Sequence, residues 1–409
     1  MSTAAVVAVV AALAGCGAGA GRGGHVSGDT LTVYSSLPLQ GPHARQSRSI
    51  LAAEKLALKQ AGGKAGAFKV KLVSRDDSEA GDSGSARWTP GKTSDNANDA
   101  AEDSRTIAYL GDLDSSASAI SIPVTNKAGF VQISPASAAV GLTKLVPGAD
   151  AGEPDKYYPE GDRTFARVVP ADDVQAAAAA RWAKALGSRR VFLVEDKTVE
   201  GLGIVKQFDV AAGRTGLDVV GQSGMDPRAD EYGEFAKDVA ARNPDAVYFG
   251  GGVESHADRL WQDLAKAMPS ARLLGSDRLL VPDFFERIGP LGDRTFITSA
   301  AQDPAQLPAR GARFVAQYRR EVGEAPDRYA AYGYTAMSLL LDAIRRAGDD
   351  GDERERVVDE VFDTSGFASP LGSFSIDENG DTTLDRIAGY SLKGGRPKFV
   401  EALTGSVTR

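Results

Sequence analysis

The sequence has little of several residue types on which site chemistry commonly depends. It contains one cysteine, Cys16, so no disulfide can form within the chain. Its three histidines, His25, His43 and His256, are isolated, none lies at metal-ligand spacing, and we expect all three to be solvated surface residues. No Gly-x-Ser-x-Gly elbow occurs either. We therefore predict neither catalytic residues nor a metal or cofactor site.

Positive charge is also in short supply. The 409 residues contain 47 Lys and Arg against 55 Asp and Glu, a net charge of −8. This balance indicates an ordinary acidic globular protein and argues against binding to nucleic acid. Hydrophobic residues make up 42% of the chain, enough for a full core, and the length allows two or three domains.

The sequence has no long hydrophobic run. A short one lies near the N terminus. Residues 4–13 are apolar but too few to span a bilayer, and they lead into Leu13-Ala14-Gly15-Cys16 and the Gly-rich residues 17–24. The motif resembles a bacterial lipobox, in which a signal peptide is cut before a cysteine that becomes diacylated. The alternative is a plain Ala/Gly-rich leader.

The lipobox interpretation divides the N-terminal segment. It predicts a signal peptide over residues 1–15, lipidation of Cys16 and a tether over residues 16–29. The protein would then be extracytoplasmic and anchored to the outer face of a bacterial cell membrane. Because residues 1–10 contain no Lys or Arg, we expect the natural start to lie upstream.

From residue 30 onward, strand-like and helix-like segments alternate. Residues 31–34 and 68–73 are typical of strands, and residues 50–61 between them are typical of a helix. The same rhythm returns over residues 191–275. Strands separated by helices predict doubly wound parallel sheets, and the repeated rhythm predicts two lobes of similar construction.

One segment breaks this rhythm. Residues 75–98 are polar and rich in Gly, Ser and Asp, which predicts an inserted surface loop followed by a helix at residues 99–104. Residues 86–93, ARWTPGKT, are similar to a phosphate-binding loop but have Ala86 in place of its first glycine. No buried strand precedes them, which argues against a nucleotide site.

Two Ser-rich turns follow neighbouring strands. The predicted strands are residues 107–110 and 130–133, with a crossover helix at residues 117–126. Ligands of open parallel sheets bind at the carboxyl ends of the strands. The residues at these ends are Ser115, Ser116, Ser134, Ala136 and Ser137. Hydroxyl groups and free N–H groups at a helix start suit a ligand carboxylate, although these serines could instead only cap a helix.

Short motifs recur in a fixed order between residues 31 and 403. They are PLQGP at 38–42, LG at 110–111 with Ser115-Ser116, ISPA at 133–136, FARVVPADDVQ at 165–175, LGSD at 274–277, PDRYAAY at 326–332 and FSIDENGD at 374–381. Together they make the chain resemble solute-binding lipoproteins of the branched-chain amino-acid (Leu/Ile/Val-binding) type. Those proteins have the type I periplasmic binding protein fold and deliver ligands to ABC importers.

The resemblance implies two lobes joined by three hinge crossovers that close on a ligand. The hinges fall near residues 167–172, 297–301 and 373–377. Lobe 1 is expected to comprise residues 30–168 plus 301–373, and lobe 2 residues 169–300 plus 374–409. The protein is expected to be a monomer.

The resemblance also implies site residues. Ser115 and the backbone at Ala136 would hold the α-carboxylate of an amino acid, and Asp277 would accept its α-ammonium group. Asp277 could instead be a surface carboxylate on a turn. The ligand-binding residues expected in all are Ser115, Ser116, Ala136, Ser137, Asp277, Gln46, Glu200 and Gly252.

The sequence departs from the family pattern around this pocket. Ala138 stands where the family often has a hydroxyl, so Ser137 would have to substitute. Gln46 replaces an aromatic residue, and Glu200 and Gly252 replace tyrosine-like positions. These changes favour a roomier pocket and a ligand with a polar side chain over leucine.

The resemblance implies a function and leaves two alternatives. The protein would bind a small amino-acid-like ligand and pass it to the permease subunits of an ABC importer. The same fold could serve as a sensor that docks on a membrane receptor, or as a secreted enzyme, which the missing catalytic constellation argues against.

Overall fold

A computed structural model of the protein describes residues 24–80, 86–147, 149–393 and 396–405. The predicted signal peptide, Cys16 and residues 17–23 of the tether lie outside the described residues, as does the Gly394-Gly395 turn. Within the described ranges, no helix is both long enough and apolar enough to cross a bilayer.

The described chain alternates between strands and helices. The strands are β1 (Thr30–Leu37), β2 (Lys64–Ala65), β3 (Phe68–Asp76), β4 (Ser78–Ala80), β5 (Ala86–Trp88), β6 (Thr106–Leu110), β7 (Val131–Ser134), β8 (Phe165–Arg167), β9 (Arg190–Glu195), β10 (Asp218–Gly224), β11 (Ala246–Gly250), β12 (Arg272–Ser276), β13 (Thr295–Ser299), β14 (Phe367–Ser369), β15 (Gly372–Phe374), β16 (Arg386–Lys393) and β17 (Arg396–Thr404). The helices are α1 (Ala44–Gln60), α2 (Pro90–Glu102), α3 (Ser115–Ala128), α4 (Asp172–Ala185), α5 (Val199–Thr215), α6 (Gly233–Ala240), α7 (Ala257–Ala267), α8 (Pro282–Ile288), α9 (Ala309–Val322), α10 (Ala330–Ala347) and α11 (Arg354–Phe362).

The first sheet has the order β2-β3-β1-β6-β7-β8, and every pair except β2 with β3 is parallel. Its central strands β1, β6 and β7 are buried on both faces, as is usual for a parallel sheet that helices cover on both sides. Helices α1, α9, α10 and α11 cover one face, and α2 and α3 pack on the other. We call this sheet with its helices lobe 1.

The second sheet has the order β10-β9-β11-β12-β13-β16-β17. Its first five strands are parallel, whereas β16 and β17 are antiparallel additions. Helices α6, α7 and α8 pack on one face, and α4 and α5 pack on the other. We call this unit lobe 2. The two doubly wound sheets confirm the predicted fold class.

The chain crosses between the lobes three times, after β8, after β13 and between β15 and β16. The first and third crossovers are tied together by Arg167, which is fully buried and lies 2.7 Å from Asp381. The Arg167 backbone N–H also donates to the Gly380 carbonyl (2.9 Å). Burial alone would raise the pKa of Asp381, but Arg167 and Lys144 outweigh it and hold that pKa below its usual value. The exact residues that divide the lobes remain a prediction.

The prediction for residues 75–98 was wrong. Strand β3 continues to Asp76, β4 pairs with β5, and α2 begins at Pro90, well before residue 99. The helix starts there because the Thr89 side chain accepts a hydrogen bond from the Lys92 N–H (3.4 Å) and Pro90 takes the first helical position. The polar composition predicted a loop where the structure has a short strand pair and a solvent-facing helix.

Candidate functional site

The candidate site is the cleft between the two lobes. It encloses about 620 Å³, including space open to solvent. Lobe 1 contributes His43, Gln46, Leu113, Asp114, Ser115, Ala136, Ala138 and Tyr329 to its walls. Asp172 and Gln175 of α4, with Glu200, Ile204, Ser276, Asp277 and Arg278, form the opposite wall. The carboxyl ends of β6, β7 and β12 all face this cleft, as expected for open parallel sheets.

The two Ser-rich turns of lobe 1 are tied to each other. Ser115 is the first residue of α3, and its Oγ accepts hydrogen bonds from the N–H groups of Ala138 (3.1 Å) and Ala139 (3.0 Å). Both bonds use the oxygen as acceptor, so the hydroxyl hydrogen of Ser115 can still be donated into the cleft. The Ala136 N–H, by contrast, donates to Ser134 Oγ (3.1 Å) and is already occupied.

A buried polar network lies beneath these turns, around Asp112. Its carboxylate accepts hydrogen bonds from Tyr109 (3.0 Å) and Ser121. Ser118 and Ser137 are hydrogen-bonded to each other (2.8 Å), and their hydroxyl oxygens also lie 3.4 Å from the carboxylate and 3.1 Å from the carbonyl of Asp112 respectively. Burial raises the pKa of Asp112 to about 7 despite these bonds. The network fixes the backbone that presents Ser115.

Asp277 follows β12 of lobe 2 and is half-buried at the cleft wall. Its carboxylate accepts hydrogen bonds from the Tyr329 hydroxyl, from Ser299 Oγ (3.2 Å) and from the Gln175 amide (3.3 Å). All three donors are neutral, so they orient the carboxylate without cancelling its charge. The alternative of a solvated surface carboxylate does not describe this environment.

Asp172 is the first residue of α4 and is 6% exposed. Among the described residues, no side chain or backbone group donates a hydrogen bond to its carboxylate. Burial raises its pKa to about 7. The nearby Arg167 lowers this pKa, whereas Asp277 and Glu200 raise it. Asp172 is therefore a carboxylate at the cleft wall that forms no hydrogen bond or ion pair through its side chain among the described residues, and Arg167 acts on it only from a distance.

Besides the bond from Tyr329 to Asp277, two further sets of polar contacts join the lobes across the cleft. Glu200, in the first turn of α5, accepts hydrogen bonds from the backbone N–H and from the hydroxyl (2.9 Å) of Ser116 at the start of α3. These bonds occupy both hydrogen-bond donors of Ser116. They hold the Glu200 side chain at the rim of the cleft.

The second set is an ion-pair network. His43 Nε2 lies 2.7 Å from Glu254, and Arg278 lies 2.8 Å from Asp114 and 3.7 Å from Glu254. Burial would lower the pKa of His43, but Glu254 outweighs it and raises that pKa. Burial likewise opposes ionisation of Glu254, yet His43 and Arg278 lower its pKa to about 2. The network therefore stabilises the closed arrangement through charge.

Five of the eight predicted ligand-binding residues line the cleft: Ser115, Ala136, Gln46, Glu200 and Asp277. The other three do not: Ser116 binds Glu200, Ser137 is fully buried in the Asp112 network, and the Gly252 N–H donates to Asp196 (3.1 Å). A Cβ atom at Gly252 would come within 3.0 Å of the side-chain ends of Glu254 and Arg278.

The expectation of three solvated histidines was wrong for His43. Its side chain is 15% exposed and bridges to lobe 2. Sequence reasoning also missed Asp114, Asp172 and Arg278 as cleft residues. A usable signal existed for two of them, because Asp114 directly precedes Ser115 and Arg278 directly follows Asp277. No group of three or more potential metal ligands occurs within the described ranges.

This fold and cleft define a two-lobed binding protein of the type I class. The model of the periplasmic binding protein family matches residues 32–395, and the chain belongs to that family. The Leu/Ile/Val-binding protein homolog 1 of Brucella melitensis is 23% identical over 256 residues, covering 62% of this chain and 67% of that protein. An amino acid binding protein of Pseudomonas aeruginosa is 23% identical over 282 residues, or 68% of each chain.

Solved structures share the fold. The leucine-binding protein LivK of Thermotoga maritima superposes with a TM-score of 0.76 at 23% identity, covering 91% of this chain and 99% of that chain. A solute-binding protein of Rhodopseudomonas palustris, solved with p-hydroxybenzoic acid, gives a TM-score of 0.75 at 16% identity over 93% and 98% of the two chains. These similarities confirm the type I periplasmic binding protein fold.

Proposed function

We propose that this binding protein captures an amino acid or a close derivative between its lobes and delivers it to an ABC importer. One observation supports the ligand class most strongly: Ser115 of lobe 1 and Asp277 of lobe 2 line the same cleft. An α-amino acid presents a carboxylate and an ammonium group on one carbon. A hydroxyl donor on one wall and a charged acceptor on the other match that pair.

The proposed roles differ from those expected from sequence in one respect. The Ala136 N–H already binds Ser134, so the carboxylate would be held by the Ser115 hydroxyl and by donors that become available as the lobes move. Asp277 would accept the ammonium group while Tyr329, Ser299 and Gln175 keep its carboxylate in place. Closure excludes water, which strengthens both interactions.

Membrane attachment and the importer belong to the same proposal. The Leu-Ala-Gly-Cys motif supports lipidation of Cys16, and two acyl chains are enough for stable anchoring. An anchored binding protein would present the loaded cleft to the permease subunits. The relatives named above are binding proteins, which supports a binding role over the secreted-enzyme alternative.

A thermal-shift screen of the twenty amino acids followed by calorimetry tests the ligand class. Asp277→Asn removes one member of a buried charge pair, which costs about 3 kcal/mol or more, so affinity should fall at least a hundredfold. Ser115→Ala loses one hydrogen bond to a charged group, about 1.5 to 3 kcal/mol. Asp283→Asn, on the exposed face of α8, is the matched control and should bind like the parent. Parent-like binding by Asp277→Asn would refute the assignment.

A further inference from the structure

The charges that face the cleft are unequal. Four carboxylates line it: Asp114, Asp172, Glu200 and Asp277. The cationic side chains in its walls, Arg278 and His43, are already paired. Arg278 contacts Asp114 at 2.8 Å and approaches Glu254, and the His43 ring bonds to Glu254. Arg278 and His43 are thus committed to Asp114 and Glu254 within this network.

The other three carboxylates, Asp172, Glu200 and Asp277, form no ion pair among the described residues, although Arg278 acts on Glu200 and Arg167 on Asp172 from farther away. Glu200 is held by the N–H and hydroxyl of Ser116, and Asp277 by a phenol, a hydroxyl and an amide. The Asp172 carboxylate accepts no hydrogen bond from the described chain. Neutral donors do not cancel charge, so the cleft walls retain an excess of negative charge. Closure of the lobes excludes water from this site.

We propose that the ligand carries two cationic groups, which makes it a basic amino acid, and that Asp172 and Glu200 select the second charge. This inference rests on the proposed function. A neutral α-amino acid brings one ammonium group and one carboxylate, so it has no net charge and would leave the excess negative charge of the cleft uncompensated. A basic amino acid adds a further cation on its side chain. Asp277 would then take the α-ammonium group, and the other two carboxylates would face the side-chain ammonium or guanidinium group.

The positions of Asp172 and Glu200 have an alternative explanation. Both lie in the first turn of a helix, where the helix dipole favours a carboxylate. That explanation does not suffice for Asp172, because its side chain is buried, accepts no hydrogen bond among the described residues and has a pKa raised to about 7. Burial is the main cause; Asp277, Glu200 and Asp173 add to it, and Arg167 opposes it. A ligand cation beside Asp172 would supply the missing compensation.

Pairs of ligands that differ only in charge test the inference by calorimetry on the full protein. L-lysine is compared with norleucine, which lacks the ε-ammonium group, and L-arginine with the neutral isostere citrulline. We expect one basic amino acid to bind at least tenfold more tightly than its neutral analogue. Asp172→Asn and Glu200→Gln should each reduce that ratio severalfold. Asp209→Asn, on the exposed face of α5, should leave it unchanged.

Proton release gives a second readout that a purely structural role for Asp172 would not produce. Because a bound cation lowers the pKa of Asp172, binding of the basic amino acid at pH 7 should release protons. The measured heat should then differ between phosphate and Tris buffers for the parent, and the difference should shrink in Asp172→Asn.

The possible outcomes separate this inference from the proposed function. Equal affinity for lysine and norleucine, and for arginine and citrulline, would overturn the inference while leaving an amino-acid-binding protein. An unchanged ratio in both variants would overturn it as well. Cadaverine is lysine without its carboxylate. If cadaverine binds as tightly as lysine, the result would support the charge inference but contradict the role of Ser115 in binding the carboxylate. Failure of every amino acid to bind would refute the proposed function itself.

Discussion

Glu54 offers a quantitative test of how lobe 1 tolerates a buried acid. This residue lies in α1, is 0% exposed and packs inside the lobe. Neither of its carboxylate oxygens has a hydrogen-bond partner within the described chain. Burial raises its pKa from an ordinary value of 4.5 to about 8. At neutral pH the folded protein therefore keeps this proton, whereas the unfolded chain has lost it.

The sign of the pH effect follows from this difference. Between about pH 4.5 and 8 the folded state binds more protons than the unfolded state, so Glu54 lowers stability as pH rises through that window. The slope is about 1.4 kcal/mol per pH unit. Glu54→Gln has no titrating proton at this position. The unfolding free energy of the variant, relative to that of the parent, should therefore increase by this amount for each pH unit. Other buried acids with raised pKa values, such as Asp112 and Asp172, occur in both proteins and cancel in the comparison.

Urea denaturation at pH 5, 6, 7 and 8 measures this effect. The difference in unfolding free energy between Glu54→Gln and the parent should increase steadily across the series. Glu102→Gln, which removes an exposed carboxylate of α2, is the control and should follow the parent at each pH. Parallel curves for the parent and Glu54→Gln would refute the reasoning, because they would mean that Glu54 loses its proton equally in both states.

Three further predictions concern the hinge, the closed state and the anchor. Arg167→Met leaves the buried Asp381 with Lys144 as its ion-pair partner and should lower the unfolding free energy by about 3 kcal/mol, whereas Lys69→Met, which breaks an exposed pair, should leave it nearly unchanged in the same denaturation assay. Glu254→Gln weakens the contacts to His43 and Arg278, so small-angle scattering should give a larger radius of gyration than for the parent; an unchanged profile would contradict the bridging role. Cys16→Ser, expressed behind a complete signal peptide, should appear in the soluble fraction or medium, and membrane fractionation like that of the parent would contradict lipidation.

The alternation of apolar segments was enough to predict both sheets. Strands such as β9 and β11 contain uninterrupted apolar runs because helices cover both of their faces, and that pattern is visible in sequence. The hairpin of β4 and β5 was missed because its few residues are mostly polar and its pairing depends on contacts that no local pattern reveals. Helix α2 was missed in its first two turns because its solvent-facing side is polar.

The site was predicted less completely than the fold, for a physical reason. Ser115 and Asp277 each follow a strand, so their positions could be inferred from local sequence. The occupation of the Ala136 N–H by Ser134 depends on the conformation of a turn. The pairing of His43 with Glu254 joins residues 211 apart in sequence, and only the arrangement of the two lobes brings them together.

The most direct test of ligand capture is a crystal structure of the protein with the amino acid that gives the largest thermal shift. We predict one molecule in the cleft, its α-ammonium group within hydrogen-bond distance of Asp277 and its carboxylate within reach of the Ser115 hydroxyl. A second cationic group should lie beside Asp172 or Glu200. A ligand bound outside the cleft, or one in the cleft that contacts neither Asp277 nor Ser115, would contradict the proposed mode of binding.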